Sequence, residues 1–152
     1  GGLGTRLKPF TNTNPKPMYP INNVPFIDYL IRQMKNFGME EVLLLLGYLP
    51  EKIMDYLGDG SRYGLTINYN ITPVDYDTGM RIKHAAPQIA DTFFLLYCDN
   101  YCPINYLKLF SDFCNNKAKI QITVYSNRDN YTKNNLHITD DGLVTTYDKK
   151  TY

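Results

Sequence analysis

What this sequence has little of narrows its function before any motif is read. Its uninterrupted apolar runs, Val42 to Leu46 among them, are no longer than 6 residues, where a bilayer crossing takes about 20. No charged, apolar, small-residue leader is expected, and the expected location is cytoplasmic. Neither sign of charge dominates: 16 Lys and Arg stand against 15 Asp and Glu, for a net charge of +1. The cations are scattered, so no basic face asks for nucleic acid or for an acidic membrane as partner. Cysteines number 3, Cys98, Cys102 and Cys114, and the 2 histidines, His84 and His137, are isolated. An odd thiol count without tight Cys/His spacing argues against a disulfide framework and a zinc site, and for reduced thiols. There is no internal repeat, low-complexity tract or linker.

What is there is a globular composition, 43% apolar and 20% charged over 152 residues, enough for one domain with a real core. The stretch around which the chain is organised is Gly1-Gly2-Leu3-Gly4-Thr5-Arg6-Leu7-Lys8-Pro9-Phe10-Thr11-Asn12-Thr13-Asn14-Pro15-Lys16-Pro17-Met18. Closely spaced glycines let a loop wrap a phosphate with its N–H groups. Arg6 adds a planar fork suited to bidentate phosphate contact, and Lys16 a mobile point charge. The dinucleotide fingerprint G-x-G-x-x-G fails, because Leu7 stands where its third glycine belongs, which weakens a dehydrogenase reading. The P-loop fails as well, because Gly4 is followed by Thr5-Arg6 rather than Lys-Ser/Thr. A plain surface turn rich in glycine and proline is the bland alternative.

G-G-x-G-T-R-L, a short spacer with Pro9 and Thr11, then P-K-P-M resembles the signature of the sugar-1-phosphate nucleotidyltransferases. Those enzymes join a nucleoside triphosphate to a sugar 1-phosphate and release pyrophosphate. The resemblance implies that the backbone of Gly2, Leu3, Gly4 and Thr5 cradles phosphates, that Arg6 stabilises the leaving pyrophosphate, and that Lys16 bridges the reacting phosphoryl groups. Further on, Asp99 in Tyr97-Cys98-Asp99-Asn100 matches the family's metal-binding Gly-Asp position, with Cys98 where glycine is usual. Thr78-Gly79 resembles the segment that lies against the nucleobase, with Met80 replacing a second glycine. Tyr147-Asp148-Lys149 is similar to the aromatic-Glu-Lys motif that meets the sugar and its phosphate. For the last three the plain alternatives stay open: a capped turn, a helix start and an exposed strand end.

The periodicity supports an α/β chain. Pro25 opens a helix whose Phe26, Tyr29, Leu30, Gln33, Met34 and Phe37 share a face, with Gly38 as the stop. Glu41 to Leu46 reads as a buried parallel strand. Pro50 opens a helix over 51–57, closed by Gly58-Asp59-Gly60, and Leu65 to Ile71 reads as a strand. A weaker helix covers 78–90, apolar 93–97 reads as a strand that puts Asp99 at its carboxyl tip, 106–113 as a helix and 119–125 as a strand. Leu136 to Thr139 and Leu143 to Tyr147 form a hairpin through Asp140-Asp141-Gly142. Residues 127–135 are polar and loop-like. The 14 Tyr and 7 Phe read as packing rather than base-stacking platforms.

Alternating helices and apolar strands predict a mostly parallel Rossmann-like sheet with helices on both faces, ligands lying at the strand ends. A phosphate loop hangs from a strand, so more apolar residues are expected ahead of Gly1. Residues 1–152 are thus expected to be the nucleotide-binding part of a single domain, truncated at both ends, of the glycosyltransferase-A-like kind the family has.

The implied function is nucleotidyl transfer with Mg²⁺ as cofactor, because hard divalent cations take carboxylate and phosphate oxygen. The partners would be a nucleoside triphosphate and a sugar 1-phosphate. The branch resemblance is to heptose and mannose-1-phosphate guanylyltransferases of surface-polysaccharide synthesis; it favours GTP, with dTTP or CTP next, and leaves the sugar open. Some relatives are fused to a phosphatase, of which no motif is visible. The alternative is a silent nucleotide- or sugar-binding regulatory subunit of the same fold. Homo-oligomerisation cannot be read from the residues and stays open.

Overall fold

The computed structural model describes residues 2–116 and 118–148. The chain divides into two compact units, Gly1–Phe110 and Ser111–Tyr152.

The first unit opens on the glycine-rich loop, shaped by three single turns of 3₁₀ helix at Thr5–Leu7, Phe10–Asn12 and Lys16–Met18. A small antiparallel hairpin follows, β1 (Pro20–Ile21) and β2 (Val24–Pro25). Asn22 and Asn23 turn it with φ of 48° and 64°, a left-handed pair that Asn tolerates and that matches strand twist. α1 (Phe26–Asn36) starts behind Pro25 and ends as expected at Gly38, whose φ is 79°. There the Met39 N–H reaches the Met34 carbonyl and the Gly38 N–H the Lys35 carbonyl, closing the helix end with a left-handed residue.

β3 (Glu41–Leu46) and β4 (Thr66–Ile71) pair in parallel, Glu41 opposite Thr66 through Leu46 opposite Ile71. Between them run α2 (Pro50–Leu57) and a 3₁₀ turn at Ser61–Tyr63, the βαβ crossover that parallel pairing requires. Then come α3 (Thr78–Ala85), a 3₁₀ turn at Ala86–Gln88 and α4 (Tyr106–Asn115). The core gathers Ile27 and Ile31 of α1, Leu46 of β3, Ile53 and Leu57 of α2, and Tyr63, Leu65 and Ile67. Each buried aliphatic side chain is worth about 1.5–3 kcal/mol. Tyr106 is buried against the rings of Phe37 and Phe94.

Three expectations are corrected. The core face of α1 is Ile27, Ile31 and Met34 together with Asp28 and Gln33; Phe26, Tyr29, Leu30 and Phe37 sit at its half-buried margins. The stripe is rotated because Asp28 is drawn inward by polar partners. The apolar run 93–97 and the alternating stretch 119–125 form no strand among the described residues, and Ile120 is 80% exposed. An apolar run becomes a strand only where a partner edge and a covering layer exist, which is a tertiary property. α3 stops at Ala85 rather than at residue 90, with Pro87 forcing the change to a 3₁₀ turn.

In the second unit β5 (Leu136–Ile138) pairs antiparallel with β6 (Val144–Tyr147), turning at Gly142 with φ of 86°. Residues 127–135 form a loop as expected, organised by Asn127: its side chain donates to the Thr132 carbonyl and accepts from the Thr132 N–H, both at 2.8 Å.

Candidate active site

The loop is folded by its own residues. Gly4 has φ of 61°, and a Cβ there would stand 3.0 Å from Thr11 Cγ2 and 3.2 Å from Lys16 Cβ. Both the conformation and the close approach demand glycine. Thr11, 2% exposed, donates its hydroxyl to the Gly4 carbonyl at 3.0 Å. Tyr48, just past the carboxyl end of β3, donates its phenol to the Thr11 carbonyl at 2.8 Å. Pro15 and Pro17, both buried, flank Lys16 and set the direction of its stem.

That direction carries Lys16 to Asp99. Their side chains meet at 2.6 Å across 83 residues of sequence, and each is 42% exposed. Asp99 lies in a turn in which the Asn100 N–H reaches the Tyr97 carbonyl, not at the tip of a strand, since 93–97 is not one. Beside it, burial pushes the Cys98 thiol above its ordinary value, and the Asp99 charge adds to this, so Cys98 stays a neutral neighbour. Arg6 is exposed and makes no side-chain hydrogen bond or ion pair among the described residues. Among the same residues, the Leu3 and Gly4 N–H groups donate to no carbonyl. Unpaired amides beside two cations form a surface built to take phosphate oxygens.

Gly2, Leu3 and Thr5 are exposed along this loop. Thr78 and Gly79 are exposed in the first turn of α3, which Asp77 caps by accepting the Met80 N–H at 2.8 Å. A Cβ on Gly79 would sit 3.4 Å from Asp77 Oδ1, an ordinary contact, so packing does not require glycine there. Asp148, in the second unit, is half-buried and its N–H donates to the Asn135 carbonyl at 3.0 Å. Lys149 lies outside the described residues. For a metal, Asp99 offers the hard oxygen that Mg²⁺ prefers. No group of three or more His, Cys, Asp or Glu side chains converges among the described residues, and Mg²⁺ does not need one when phosphates supply further ligands.

Two structural supports were not legible as such. Tyr48 tethers the loop, and its only signal is a polar aromatic directly after a parallel strand. Arg81, 5% exposed, donates to the carbonyls of Leu46, Pro73, Val74 and Tyr76 and to the Thr72 hydroxyl. It ties the end of β3 to the entry of α3. Gly47 makes room for it, because a Cβ would fall 2.6 Å from the guanidinium.

Set beside known proteins, residues 1–135 match the family model described as nucleotidyl transferase. The chain is 31% identical over its whole length to D-glycero-alpha-D-manno-heptose 1-phosphate guanylyltransferases of Campylobacter jejuni and Aneurinibacillus thermoaerophilus, and spans 66% of each. It superposes on HddC from Yersinia pseudotuberculosis complexed with GMP-PN, with a TM-score of 0.66 and 32% identity, over 74% of this chain and 50% of that one.

Proposed function

Because this chain belongs to the nucleotidyl transferase family, we propose that it is the nucleotide-binding part of an enzyme joining a nucleoside triphosphate to a sugar 1-phosphate. The observation that carries the reading is the Lys16–Asp99 pair. In it each partner stands in for a substrate-state species: the ammonium for a metal's charge, the carboxylate for a phosphate oxygen. When a triphosphate enters, Lys16 exchanges Asp99 for phosphate oxygens, and the freed carboxylate would hold Mg²⁺. A divalent cation there supplies neutralisation of the triphosphate's charge.

The chemistry is an in-line displacement. An oxygen of the sugar phosphate bonds to the α-phosphorus, the α–β anhydride bond breaks, and pyrophosphate leaves. The Leu3 and Gly4 amides orient the triphosphate, Arg6 takes up the charge growing on pyrophosphate, and Lys16 spans the two reacting phosphoryl groups. Thr78 and Gly79 would lie against the base, Asp148 and Lys149 near the sugar phosphate. GTP is the favoured triphosphate, supported by the guanylyltransferase relatives, and GDP-heptose or GDP-mannose for surface polysaccharide the product. The cytoplasm, where nucleotides are, is the compartment this reading calls for. No helix among the described residues is long and apolar enough to cross a membrane.

The test is pyrophosphate release by the complete protein from GTP with heptose 1-phosphate or mannose 1-phosphate, alongside Arg6→Ala. Turnover that Arg6→Ala abolishes is expected. Nucleotide binding without turnover on any sugar 1-phosphate would instead identify a regulatory subunit.

A further inference from the structure

A cluster of cations is formed by α1 and the 3₁₀ turn that follows α2. Arg32, Lys35 and Arg62 line a cavity of about 300 Å³ together with Asn36 and Tyr63. The three cations are held rather than loose. Arg32 Nε is fixed by Asp28 at 2.5 Å, Lys35 Nζ by the Gly64 carbonyl at 2.8 Å, and the Arg62 guanidinium lies 4.4 Å and 4.6 Å from the ring centres of Tyr56 and Tyr63. The carboxylate paired with Arg32 and Arg62 among the described residues is Asp28, which is buried and already satisfied by Tyr63, Tyr56 and Arg32. Three held cations around one satisfied carboxylate make a preorganised cluster with positive charge to spare, a condition for binding a phosphate.

A neighbouring cavity of about 380 Å³ shares Arg32 and Asn36 with it and is walled by Tyr29, Phe37, Tyr101 and Pro103. Gln33, also in its lining, donates to the Cys102 carbonyl at 3.0 Å, while its Oε1 finds no donor among the described residues. Aromatic side chains beside a cationic cluster suit a flat ring joined to a phosphate. Neither cavity shares a residue with Gly2–Thr5, Lys16, Thr78, Gly79 or Asp99.

We propose that these adjoining cavities form a second nucleotide site, in which Arg32, Lys35 and Arg62 take the phosphates and the ring rests among Tyr29, Phe37 and Tyr101. The test is titration of GDP, UDP and CDP, and of inorganic phosphate, into the full-length protein carrying Lys16→Ala and Asp99→Asn, which disable the first site. At least one diphosphate should still bind. Lys35→Gln with Arg62→Gln should weaken it at least tenfold, and Tyr101→Ala at least fivefold while leaving inorganic phosphate within twofold. In the unmutated protein, amide resonances of residues 32–36 and 62–64 should shift on adding inorganic phosphate. No binding in the disabled background, binding indifferent to the Lys35 and Arg62 changes, or phosphate shifts confined to residues 2–18 would overturn the assignment.

Discussion

Lys16 and Asp99 are each 42% exposed, and an ion pair so open to water stabilises a fold by only about 0–1 kcal/mol. Its value is chemical, so Lys16→Ala and Asp99→Asn in the complete protein should each lower kcat by about 10²–10³ while the melting temperature barely moves. Activity and melting curves falling together would make the pair structural. Gly4 behaves in the opposite way. With φ of 61° and 3.0 Å to Thr11 Cγ2, Gly4→Ala should cost about 1–2 kcal/mol by urea unfolding and also displace the Lys16 stem, raising KM for the triphosphate. Asp28 makes a third case. Burial opposes its ionisation, but hydrogen bonds from Tyr63, Arg32 and Tyr56 outweigh burial and hold its carboxyl below the ordinary value. The folded pKa is thus lower than the unfolded one. Its stabilisation is complete above the unfolded value near pH 4 and is lost as pH falls through the folded value. Asp28→Asn should therefore flatten the fall of unfolding free energy between about pH 5 and pH 2; an unchanged slope would show that other carboxylates carry it.

At the level of elements, the carboxyl end of β3 is where loop, helix and strand are joined. The Leu46 carbonyl accepts from Arg81, Gly47 clears the guanidinium, and Tyr48 reaches back to the loop. Leu49, with φ of 45°, holds a left-handed conformation that a Leu adopts only when its surroundings impose it. Arg81→Ala would strand several carbonyls in a dry site and should destabilise by about 3 kcal/mol. Arg81→Lys should recover little of it, since one ammonium cannot span five acceptors in a planar fan. Denaturant midpoints of the two variants decide this, and full recovery by Lys would reduce Arg81 to a charge.

For the whole molecule, a ligand that binds only the folded state raises its melting point by mass action. With Mg²⁺ present, one triphosphate among GTP, dTTP, UTP, CTP and ATP should raise the melting temperature of the complete protein, by about 2.7 kcal/mol of stabilisation at 100 times its Kd. GTP is the expected one. Equal shifts from all five would mean that the loop reads phosphates and nothing reads the base.

The α/β class, the positions of α1, α2, β3 and β4, the final hairpin, and Arg6, Lys16 and Asp99 as candidate residues were all decided by local sequence. Glycine and proline punctuation, periodicity and a short motif act over a few residues, and a few residues suffice to read them. What only the tertiary structure decided is everything that depends on distant partners. Asp28 turns inward because Tyr56 and Tyr63 come from the α2–β4 crossover to meet it. Residues 93–97 are apolar and 119–125 alternate, yet a strand needs an edge to pair with, and neither pattern can supply one. Lys16 meets Asp99 across 83 residues because two buried prolines, a glycine without a Cβ and a tyrosine from the end of β3 hold the loop in one shape. No pattern along the chain encodes that distance; packing does.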